Sequence, residues 1–478
     1  MRVAALFLIA LHRATAVSSS RIVAHQVLLR CFKDGAFADR ALSSALDKAQ
    51  LDGGDRGLTT ELVYGVLRHK SSLDYSLAQL ATLSDRTSLP THVALRIGAY
   101  EILHLRTPDH AAVDEAVSLV QPKAQRRFIN GVLRNMARRR NTLGPPTDDT
   151  LDALAIRTST PEWLLREMQA LLPSFAEVAA WAVASQQRPR LALRINRLQS
   201  DRESLGSLLQ AAGVQLSDQV PLDDALLIES GAGDVAQLPG FADGLFTVQD
   251  IGAQCVALLA APSAGSVVLD LCAAPGGKTT HLAELMDDDG MILSVELHER
   301  KSHLVGQACE RLHLSSVIVT ATDASDCNAL HALLATHAAT DSAGGALADC
   351  VIIDAPCSGM GTLRRNPEHR YRQDASRLDS LCALQDRLLD AGASCVRPGG
   401  TLTFSVCSPL AKETTERIAA FLQRHRGLFE HVKIDNPLLE PFASACDSGG
   451  ERSCIRTWTH LHEADSHFAC KLRRVDML

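Results

Sequence analysis

Hydrophobic residues recur every three to four positions through the first part of the chain, between Ser20 and Arg140. This period predicts successive amphipathic helices. They are expected at Arg21–Phe32, Asp55–Arg68, Leu95–Leu103, His110–Val120 and Gln125–Arg140. The last helix carries arginines that lie mostly off its apolar stripe, including Arg126, Arg127, Arg138, Arg139 and Arg140. These arginines form either a solvated charged face or a surface that contacts phosphates.

A region of mixed pattern follows. Asn141–Asp152 reads as a linker, because Gly144, Pro145 and Pro146 interrupt any regular element. Beyond it, helices are expected at Glu162–Leu172 and Ser204–Ala212, and short strands at Leu191–Asn196 and Leu226–Glu229. These elements predict a small α+β connector. Its arginines (Arg188, Arg190, Arg194 and Arg197) suggest a basic strip that either touches RNA or solvates the strand.

From Gly244 onward, apolar strands alternate regularly with helices. Strands are expected at Val267–Leu271, Met291–Glu296, Val317–Ala321, Asp349–Ile353 and Thr401–Val406. Helices are expected at Lys278–Met286, Arg300–Leu312, Asp326–His337 and Ser376–Val396. Such alternation predicts a parallel sheet wrapped by helices, with ligands at the carboxyl ends of the strands.

The loop after the first of these strands has its own signature. The stretch 267–284 reads VVLDLCAAPGGKTTHLAE, which is a strand, a glycine turn and the start of a helix. Gly276 and Gly277 let the backbone approach a ligand, and the helix start presents unpaired N–H groups. The stretch is neither a GxGxxG dinucleotide loop nor a P-loop. From the turn alone, an ordinary strand-to-helix connection remains an alternative.

Polar residues follow the other strands. Glu296 ends the second strand and Asp323 follows the third, where each is a candidate ligand for a nucleoside or an ordinary turn acid. Asp354 opens the turn DAPCSGMG, which presents Cys357, and Cys407 ends the next strand. Single buried cysteines usually act as small hydrophobes. Two cysteines at adjacent strand ends instead suggest covalent chemistry.

Composition narrows the classes of protein. The chain has 478 residues, so two or three domains are expected, and its net charge of −7 gives no global field for nucleic acid. Thirteen cysteines without a CxxC pair argue against a disulfide framework or a zinc site and favour a reducing compartment. No apolar run is long enough to span a membrane.

Residues 1–20 carry a basic start and an apolar run, as in a targeting segment. The absence of acids before Asp34 also suits an organelle transit peptide. We therefore expect a cytoplasmic protein if this segment is retained, and a plastid or mitochondrial one if it acts in targeting. A plain N-terminal helix is the third alternative.

The motif DLCAAPGGKT resembles the cofactor loop of the NOL1/NOP2/Sun family of RNA cytosine-5 methyltransferases. The phrases DRGLTTELVYGVLR, DHAAVDEAV and RRFINGVLRN resemble the NusB-like RNA-binding domain of the bacterial small-subunit rRNA enzymes of that family. The resemblance implies an all-α NusB-like domain, an α+β connector and a Rossmann-like methyltransferase domain. The expected division is 1–19 targeting segment, 20–140 NusB-like domain, 141–152 linker, 153–243 connector and 244–478 methyltransferase domain.

The resemblance also implies the cofactor and the site. S-adenosylmethionine is expected to lie against Cys272, Ala273, Ala274, Pro275, Gly276, Gly277, Lys278, Glu296, Asp323 and Asp354. Cys407 is expected to be the nucleophile, Cys357 to assist product release and Asp354 to be the carboxyl partner. Cys357 as nucleophile is the alternative. Nearby cations such as Lys278, Arg364 or Arg365 are candidates to lower the pKa of a thiol.

The expected partner is RNA, with 16S-type rRNA favoured and tRNA or a noncatalytic ribosome-assembly role as rivals. Arg364 and Arg365 join the RNA-contacting candidates, within an arginine-rich segment that also holds Arg370, Arg372 and Arg377. A monomer without metal or membrane contact is expected. Val406 and Pro409 depart from the family pattern around Cys407, although the reacting residues are all present.

Overall fold

The computed structural model describes residues 19–83, 87–337, 347–372, 375–446 and 452–475. The predicted targeting segment, apart from residue 19, lies outside the described residues. The chain divides into two compact units. One comprises the residues up to Gln187 together with Leu363–Arg372, and the other comprises Arg188–Thr362 and Gln373–Leu478.

The first unit is helical. Its helices are α1 (Ser19–Lys33), α2 (Ala38–Lys48), α3 (Gly53–Ala78), α4 (Leu89–His104), α5 (Asp109–Ser118), α6 (Lys123–Arg139), α7 (Leu151–Thr158), α8 (Glu162–Leu171) and α9 (Phe175–Ala184). The five helices expected between Ser20 and Arg140 are confirmed. α2 was not predicted, α3 runs ten residues beyond its expected end, and α7 begins inside the expected linker.

Each helix of this unit buries one apolar stripe. In α6, Ile129, Val132, Leu133 and Met136 are buried at helical spacing, as the pattern predicted. α3 begins where the side chain of Asp52 accepts a hydrogen bond from the backbone N–H of Asp55 at 2.8 Å. Helices α1–α6 therefore share one continuous apolar core.

The segment Leu363–Arg372 completes the helical unit from a distant part of the sequence. The Arg370 guanidinium is buried and donates to the carbonyls of Thr158 at 3.1 Å and Ser185 at 2.9 Å. The Glu368 carboxylate accepts from the N–H of Ala38 at 2.9 Å. This arginine-rich segment therefore includes residues that hold helices together.

The second unit begins with a small antiparallel sheet. Its strands are β1 (Leu191–Ile195), β2 (Gln215–Leu216), β3 (Ala225–Ser230) and β4 (Phe246–Val248), in the order β2-β3-β1-β4. Helix α10 (Arg202–Ala211) lies between β1 and β2 in sequence. The strands expected at 191–196 and 226–229 are confirmed. The predicted 153–243 connector is divided between the two units.

The main sheet of the second unit has nine strands. They are β5 (Val267–Leu271), β6 (Met291–Glu296), β7 (Val317–Ala321), β8 (Ala348–Asp354), β9 (Val396–Val406), β10 (Phe429–His431), β11 (Ala443–Ala445), β12 (Arg452–Arg456) and β13 (Phe468–Arg474). Its helices are α11 (Ile251–Ala260), α12 (Gly277–Leu285), α13 (Glu299–Arg311), α14 (Cys327–His337), α15 (Ala375–Cys395), α16 (Thr415–Arg424) and α17 (Thr459–His462).

Strand β5 lies at the centre of the parallel part of this sheet. The order is β11-β12-β13-β9-β8-β5-β6-β7, and β5 pairs in parallel with both β6 and β8. The chain moves outward from β5 to β7 and then returns to β8 on the other side of β5. The carboxyl end of β5 is therefore the switch point where ligands bind in such sheets.

Both faces of the sheet are covered. Leu269 and Leu271 belong to one apolar cluster, whereas Val268 belongs to another. This explains why β5 reads as a continuous apolar run. Within the described residues, no helix combines the length and apolarity needed to cross a bilayer.

Candidate active site

The loop after β5 has a backbone that few residue types adopt. Cys272 has φ 63° and Gly276 has φ 103°, and the peptide bond between Ala274 and Pro275 is cis. A Cβ on Gly276 would lie 3.1 Å from the Cα of Val305 in α13. The loop is thus held close to a neighbouring helix, and α12 begins directly after it with its first N–H groups at the carboxyl end of the sheet.

Lys278 and Asp354 form the charged centre of this end of the sheet. The Nζ of Lys278 lies 2.6 Å from Oδ2 of Asp354, and the hydroxyl of Ser405 donates to Oδ1 of Asp354 at 2.8 Å. The ammonium group is almost completely buried, while the carboxylate is partly exposed. Burial opposes the charge of Lys278, but the carboxylate of Asp354 outweighs it and raises the pKa of Lys278.

Asp270 lies beneath the loop, near the end of β5. Its carboxyl group is buried, its Oδ2 accepts from the hydroxyl of Thr279 at 2.5 Å, and its Oδ1 has no hydrogen-bond partner. Burial raises the pKa of Asp270 to about 7. This hydrogen bond joins the end of β5 to the first turn of α12, and so fixes both ends of the loop between them.

The two acids on the neighbouring strands differ in exposure. Glu296 is buried at the end of β6 and accepts from the N–H of His298 at 3.2 Å. Asp323 follows β7, is exposed, and accepts from the N–H and the hydroxyl of Ser325 at 2.9 and 2.8 Å. Each acid therefore stabilises its own turn. Both lie at the carboxyl edge of the sheet, as the sequence predicted.

The two candidate catalytic thiols meet at the ends of β8 and β9. These strands are parallel neighbours, with Asp354 opposite Ser405, so that residues just beyond them lie side by side. The Sγ atoms of Cys357 and Cys407 are 3.2 Å apart, and both residues are partly exposed. The hydrogen bond with Cys407, together with burial, raises the pKa of Cys357 well above that of an ordinary thiol. The Cys357 thiol therefore holds its proton more tightly than an ordinary thiol.

Glu413 holds the two cysteine-bearing turns together. Its carboxylate is buried and accepts from the N–H of Ser358 at 2.8 Å, from the hydroxyl of Ser358 at 2.5 Å and from the hydroxyl of Ser408 at 2.5 Å. Ser358 follows Cys357 and Ser408 follows Cys407. The sequence pattern gave Glu413 no role; its only signal was a match to the family phrase after Cys407.

Gly361 makes a second contact between the same turns. Its N–H donates to the carbonyl of Cys407 at 3.0 Å, and its carbonyl accepts from the N–H of Ser466 at 2.9 Å. A Cβ at this position would lie 1.8 Å from the carbonyl oxygen of Ser466. The close approach leaves room only for glycine.

Arg194 corrects the prediction of a basic strip in the connector. Its side chain is completely buried, and its guanidinium pairs with Glu284 at 2.6 Å and donates to the carbonyl of Gly277 at 2.7 Å. It also donates to the hydroxyl of Thr280 at 3.0 Å. Arg194 therefore anchors the start of α12 and does not face solvent or RNA. Sequence alone could not show it, because Glu284 lies ninety positions away.

The candidate RNA-contacting arginines fall into two groups. Those on and just after α6 are exposed, namely Arg126, Arg127, Arg138, Arg139 and Arg140. Arg140 also pairs with Asp109 at 3.2 Å. Arg364 is buried, with 6% of its surface exposed, whereas Arg365 is partly exposed. The prediction that Arg364 contacts RNA is inconsistent with its burial, and the same holds for Arg370 in the segment around it.

Comparison with known proteins shows which protein families these domains resemble. Residues 257–473 match the family model of 16S rRNA methyltransferase RsmB/F, residues 18–138 match the NusB family, and residues 160–236 match the RsmF/B-like ferredoxin-like domain. The crystal structure of PH0851 superposes with a TM-score of 0.74 at 23% identity, covering 96% of this chain and 99% of that one. NSun6 from Pyrococcus horikoshii with SFG gives a TM-score of 0.55 at 18% identity, covering 66% and 98%.

The fold and the site define an S-adenosylmethionine-dependent methyltransferase. Among curated proteins, the probable ribosomal RNA small subunit methyltransferase B of Bacillus subtilis is 30% identical over 96% of this chain and 99% of its own length. Ribosomal RNA small subunit methyltransferase B of Erwinia tasmaniensis is 34% identical over 91% and 97%. The chain belongs to this RsmB/F family of RNA methyltransferases, which confirms the resemblance and the fold class inferred from its motifs.

Proposed function

We propose that the protein methylates carbon 5 of a cytosine in small-subunit rRNA, using S-adenosylmethionine and a covalent bond to Cys407. The observation that carries this proposal is the meeting of two thiols at 3.2 Å, at the sheet edge that also holds Lys278 and Asp354. A protein that only bound RNA would need neither thiol. The rRNA substrate follows from the names of the relatives, with tRNA as the rival.

The loop suits a nucleoside cofactor with an amino-acid tail. A Cβ on Gly276 in the turn 272–278 would lie only 3.1 Å from Val305, and Glu296 supplies a buried carboxylate for hydroxyl groups. Cys272, Ala273, Ala274, Pro275, Gly276, Gly277 and Lys278 would hold the methionine part, with Asp354 beside Lys278. Glu296 would bind the ribose and Asp323 the adenine side. S-adenosylmethionine, when bound, supplies an electrophilic methyl group.

The protein supplies the activation of the base. The thiolate of Cys407 adds to carbon 6 of cytosine, and the electron pair of the 5,6 double bond becomes available at carbon 5. The carboxyl group of Asp354 stabilises the charge at ring nitrogen 3. After methylation, a base removes the proton from carbon 5, the bond between sulfur and carbon 6 breaks, and the thiolate of Cys407 leaves. Cys357 assists this release.

The assignment of the two cysteines has a direct test. Cys357→Ala should accumulate a covalent protein–RNA complex on small-subunit rRNA, because release is impaired while attack is intact. Cys407→Ala should form none, and Cys327→Ala, which removes an exposed thiol elsewhere, should behave as the unaltered protein. A complex that survives the loss of Cys407 would reverse the two roles. Bisulfite mapping of product RNA decides between rRNA and tRNA.

A further inference from the structure

A second group of thiols lies away from the proposed active site, at the antiparallel edge of the main sheet. We propose that His431, Cys446, Cys454 and Cys470, here called the thiol–imidazole cluster, bind a structural zinc ion. Sequence spacing gave no hint of such a site, because these residues form no CxxC pair. The fold brings them together from four separate strand segments.

Strand pairing explains how the cluster forms. Cys454 of β12 lies directly opposite Cys470 of β13, and His431 of β10 lies opposite Leu472 of the same strand. Cys470 and Leu472 are two positions apart, so their side chains leave the same face of β13. Cys446 follows β11, whose Ser444 pairs with Cys454. The cluster therefore sits where the pairing of β13 passes from β12 to β10.

The distances suit tetrahedral coordination. A ring nitrogen of His431 and the Sγ atoms of Cys446 and Cys470 all lie within 4.8 Å of one another, and the Sγ of Cys470 is 3.5 Å from the Nδ1 of His431. Zinc bonds of about 2.3 Å to sulfur and about 2.0 Å to nitrogen require ligand atoms roughly 3.5–3.8 Å apart. Only a small contraction separates the observed arrangement from that geometry.

Cys454 supplies the fourth ligand. Cys454 lies directly opposite Cys470 in the antiparallel pairing of β12 and β13, so the two side chains lie on the same face of the sheet. The Sγ of Cys454 is not among the three ligand atoms that lie within 4.8 Å of one another. Cys454 donates to the carbonyl of Ser444 at 3.3 Å, a contact that rotation of its side chain toward the cluster would exchange for a metal bond. Three thiolates and one imidazole form one of the donor sets of closed structural zinc sites.

The surroundings favour zinc over other cations. The donors are soft sulfur and nitrogen atoms without a carboxylate, which excludes magnesium and calcium. Cys454 and Cys470 are buried in the apolar core, whereas His431 and Cys446 are partly exposed and give the ion a way in. Binding would release to solvent the protons that the thiols still carry. The nearby Arg456, which interacts electrostatically with Cys446 and Cys454, offsets the remaining negative charge.

The position of the cluster indicates its purpose. β13 pairs on its other side with β9, and Phe468 lies opposite Val406, the residue before Cys407. A metal that ties β10, β11 and β12 to β13 would brace the strand beside the one that delivers Cys407. The proposed role is therefore structural, and it does not depend on the methyl-transfer reaction.

The test uses the full-length protein purified under reducing conditions and analysed for bound metal by mass spectrometry. We expect about one Zn²⁺ per chain, and a lower midpoint of thermal unfolding after removal by a chelator. Cobalt substitution should give the intense visible spectrum of a tetrahedral thiolate site. Cys446→Ala and His431→Ala should lose the metal, while Cys382→Ala, which removes another buried thiol, should retain it.

Four outcomes would overturn the proposal. One is a protein that neither contains zinc nor binds added Zn²⁺ in competition with a chromogenic chelator. Another is equal zinc content in the Cys446→Ala and Cys382→Ala variants. The third is a disulfide between Cys446 and Cys454 in the reduced preparation. A Co²⁺ spectrum unchanged by Cys454→Ala would remove that residue from the ligand set and so contradict the four-ligand site. A negative result for zinc would not affect the test for a covalent adduct with Cys407, so each proposal can be rejected independently of the other.

Discussion

The Sγ atom of Cys357 lies 3.2 Å from the Sγ atom of Cys407, although fifty positions separate the two residues in the sequence. The parallel pairing of β8 and β9 places them there, and the Glu413 carboxylate fixes the turns that carry them. A disulfide needs sulfur atoms about 2.05 Å apart, so a shift of roughly 1 Å would join them. The two thiols that we propose for catalysis are therefore close enough to be oxidised to a disulfide.

The thiol pair should make the enzyme sensitive to thiol-specific oxidants. Diamide should oxidise Cys357 and Cys407 to a disulfide, taking up the two hydrogens and abolishing methyl transfer, and dithiothreitol should restore activity. Peptide mapping by mass spectrometry identifies the link and distinguishes it from reaction at the thiol–imidazole cluster. Cys357→Ala cannot form the link. Full activity retained in a sample where mapping shows the link complete would contradict the proposed role of Cys407.

Removal of Glu413 should damage the site, because its carboxylate joins the two turns that carry Cys357 and Cys407. Glu413→Ala removes the acceptor of the Ser358 N–H and of the Ser358 and Ser408 hydroxyls. One hydroxyl can donate to the other across 3.2 Å, and each group left unsatisfied costs on the order of 1–3 kcal/mol. We expect a lower unfolding midpoint and a fall in kcat of at least tenfold. Glu416→Ala is the matched control, because Glu416 is exposed three positions later. Equal effects of the two substitutions would show that the contacts to Ser358 and Ser408 do not matter.

The buried pair of Arg194 and Glu284 should couple stability to cofactor binding. Breaking it with Arg194→Met or Glu284→Leu alone should cost about 3–5 kcal/mol, because each leaves an unpaired buried charge. The double variant should recover much of the stability. Its affinity for S-adenosylmethionine should remain reduced, because Arg194 also holds the carbonyl of Gly277. Thermal unfolding and calorimetric titration measure the two effects.

Arg197→Ala is the control for that cycle, because Arg197 is exposed on the same stretch of chain. It should change neither quantity. If the double variant bound S-adenosylmethionine as tightly as the unaltered protein, Arg194 would be a purely structural residue.

The helical unit should lose stability in acid through His69. Burial lowers the pKa of His69 to about 3, with His104, Arg68 and Arg370 acting in the same direction. Its ring packs on His104 at 4.3 Å and on Tyr100 at 5.8 Å, and its Nδ1 lies 3.2 Å from the amide of Gln186. The unfolded chain binds a proton below about pH 6.5, while the folded one does not.

The contribution of His69 is therefore fully present above pH 6.5 and is lost as the pH falls toward 3, by at most about 1.4 kcal/mol for each pH unit. His69→Gln should flatten this dependence in urea unfolding followed from pH 7 to pH 4. His110→Gln, on an exposed position, should leave it unchanged. The same slope in both variants would assign the acid sensitivity to other groups.

The exposed arginines at the end of α6 should contribute to RNA affinity through charge. Arg138→Ala with Arg139→Ala should weaken binding and lower the slope of log K against log salt by up to about 0.7–0.9 per lost phosphate contact. Arg424→Ala with Arg426→Ala removes the same charge from exposed positions elsewhere. Binding to an rRNA fragment over a salt series gives both numbers. Equal slopes in the two variants would leave α6 as a solvated surface.

Much of the second unit could be predicted because its strands are buried on both faces. β5 and β6 have the predicted bounds, since a continuous apolar run ended by a turn is typical of a central parallel strand. The loop after β5 was recognisable because its glycines and its lysine are adjacent in sequence. What escaped prediction depends on distant residues. Arg194 alternates with apolar neighbours as a surface residue would, and only Glu284 explains its burial.

Contacts among residues from several different strands also could not be predicted from the sequence. Glu413 lies in a short 3-10 turn, with no local signal that Ser358 would meet it. The expectation of no zinc site was based on sequence spacing alone, which does not show cysteines that strand register brings together. Arg364 and Arg370 were predicted to be exposed, because runs of charged residues usually lie on the surface. Both are buried in the helical unit. The sequence pattern thus predicts secondary-structure elements and local motifs, whereas contacts between residues far apart in sequence are visible only in the structure.

The placement of Leu363–Arg372 in the helical unit has a consequence for biosynthesis. A chain elongating on a ribosome displays helices α1–α9 long before it makes this segment. Until then, the carbonyls of Thr158 and Ser185 and the N–H of Ala38 lack the partners that Arg370 and Glu368 later provide. Translation of the first unit therefore begins early and ends late, and the nascent chain must hold an incomplete helical core while strands β1–β8 are translated.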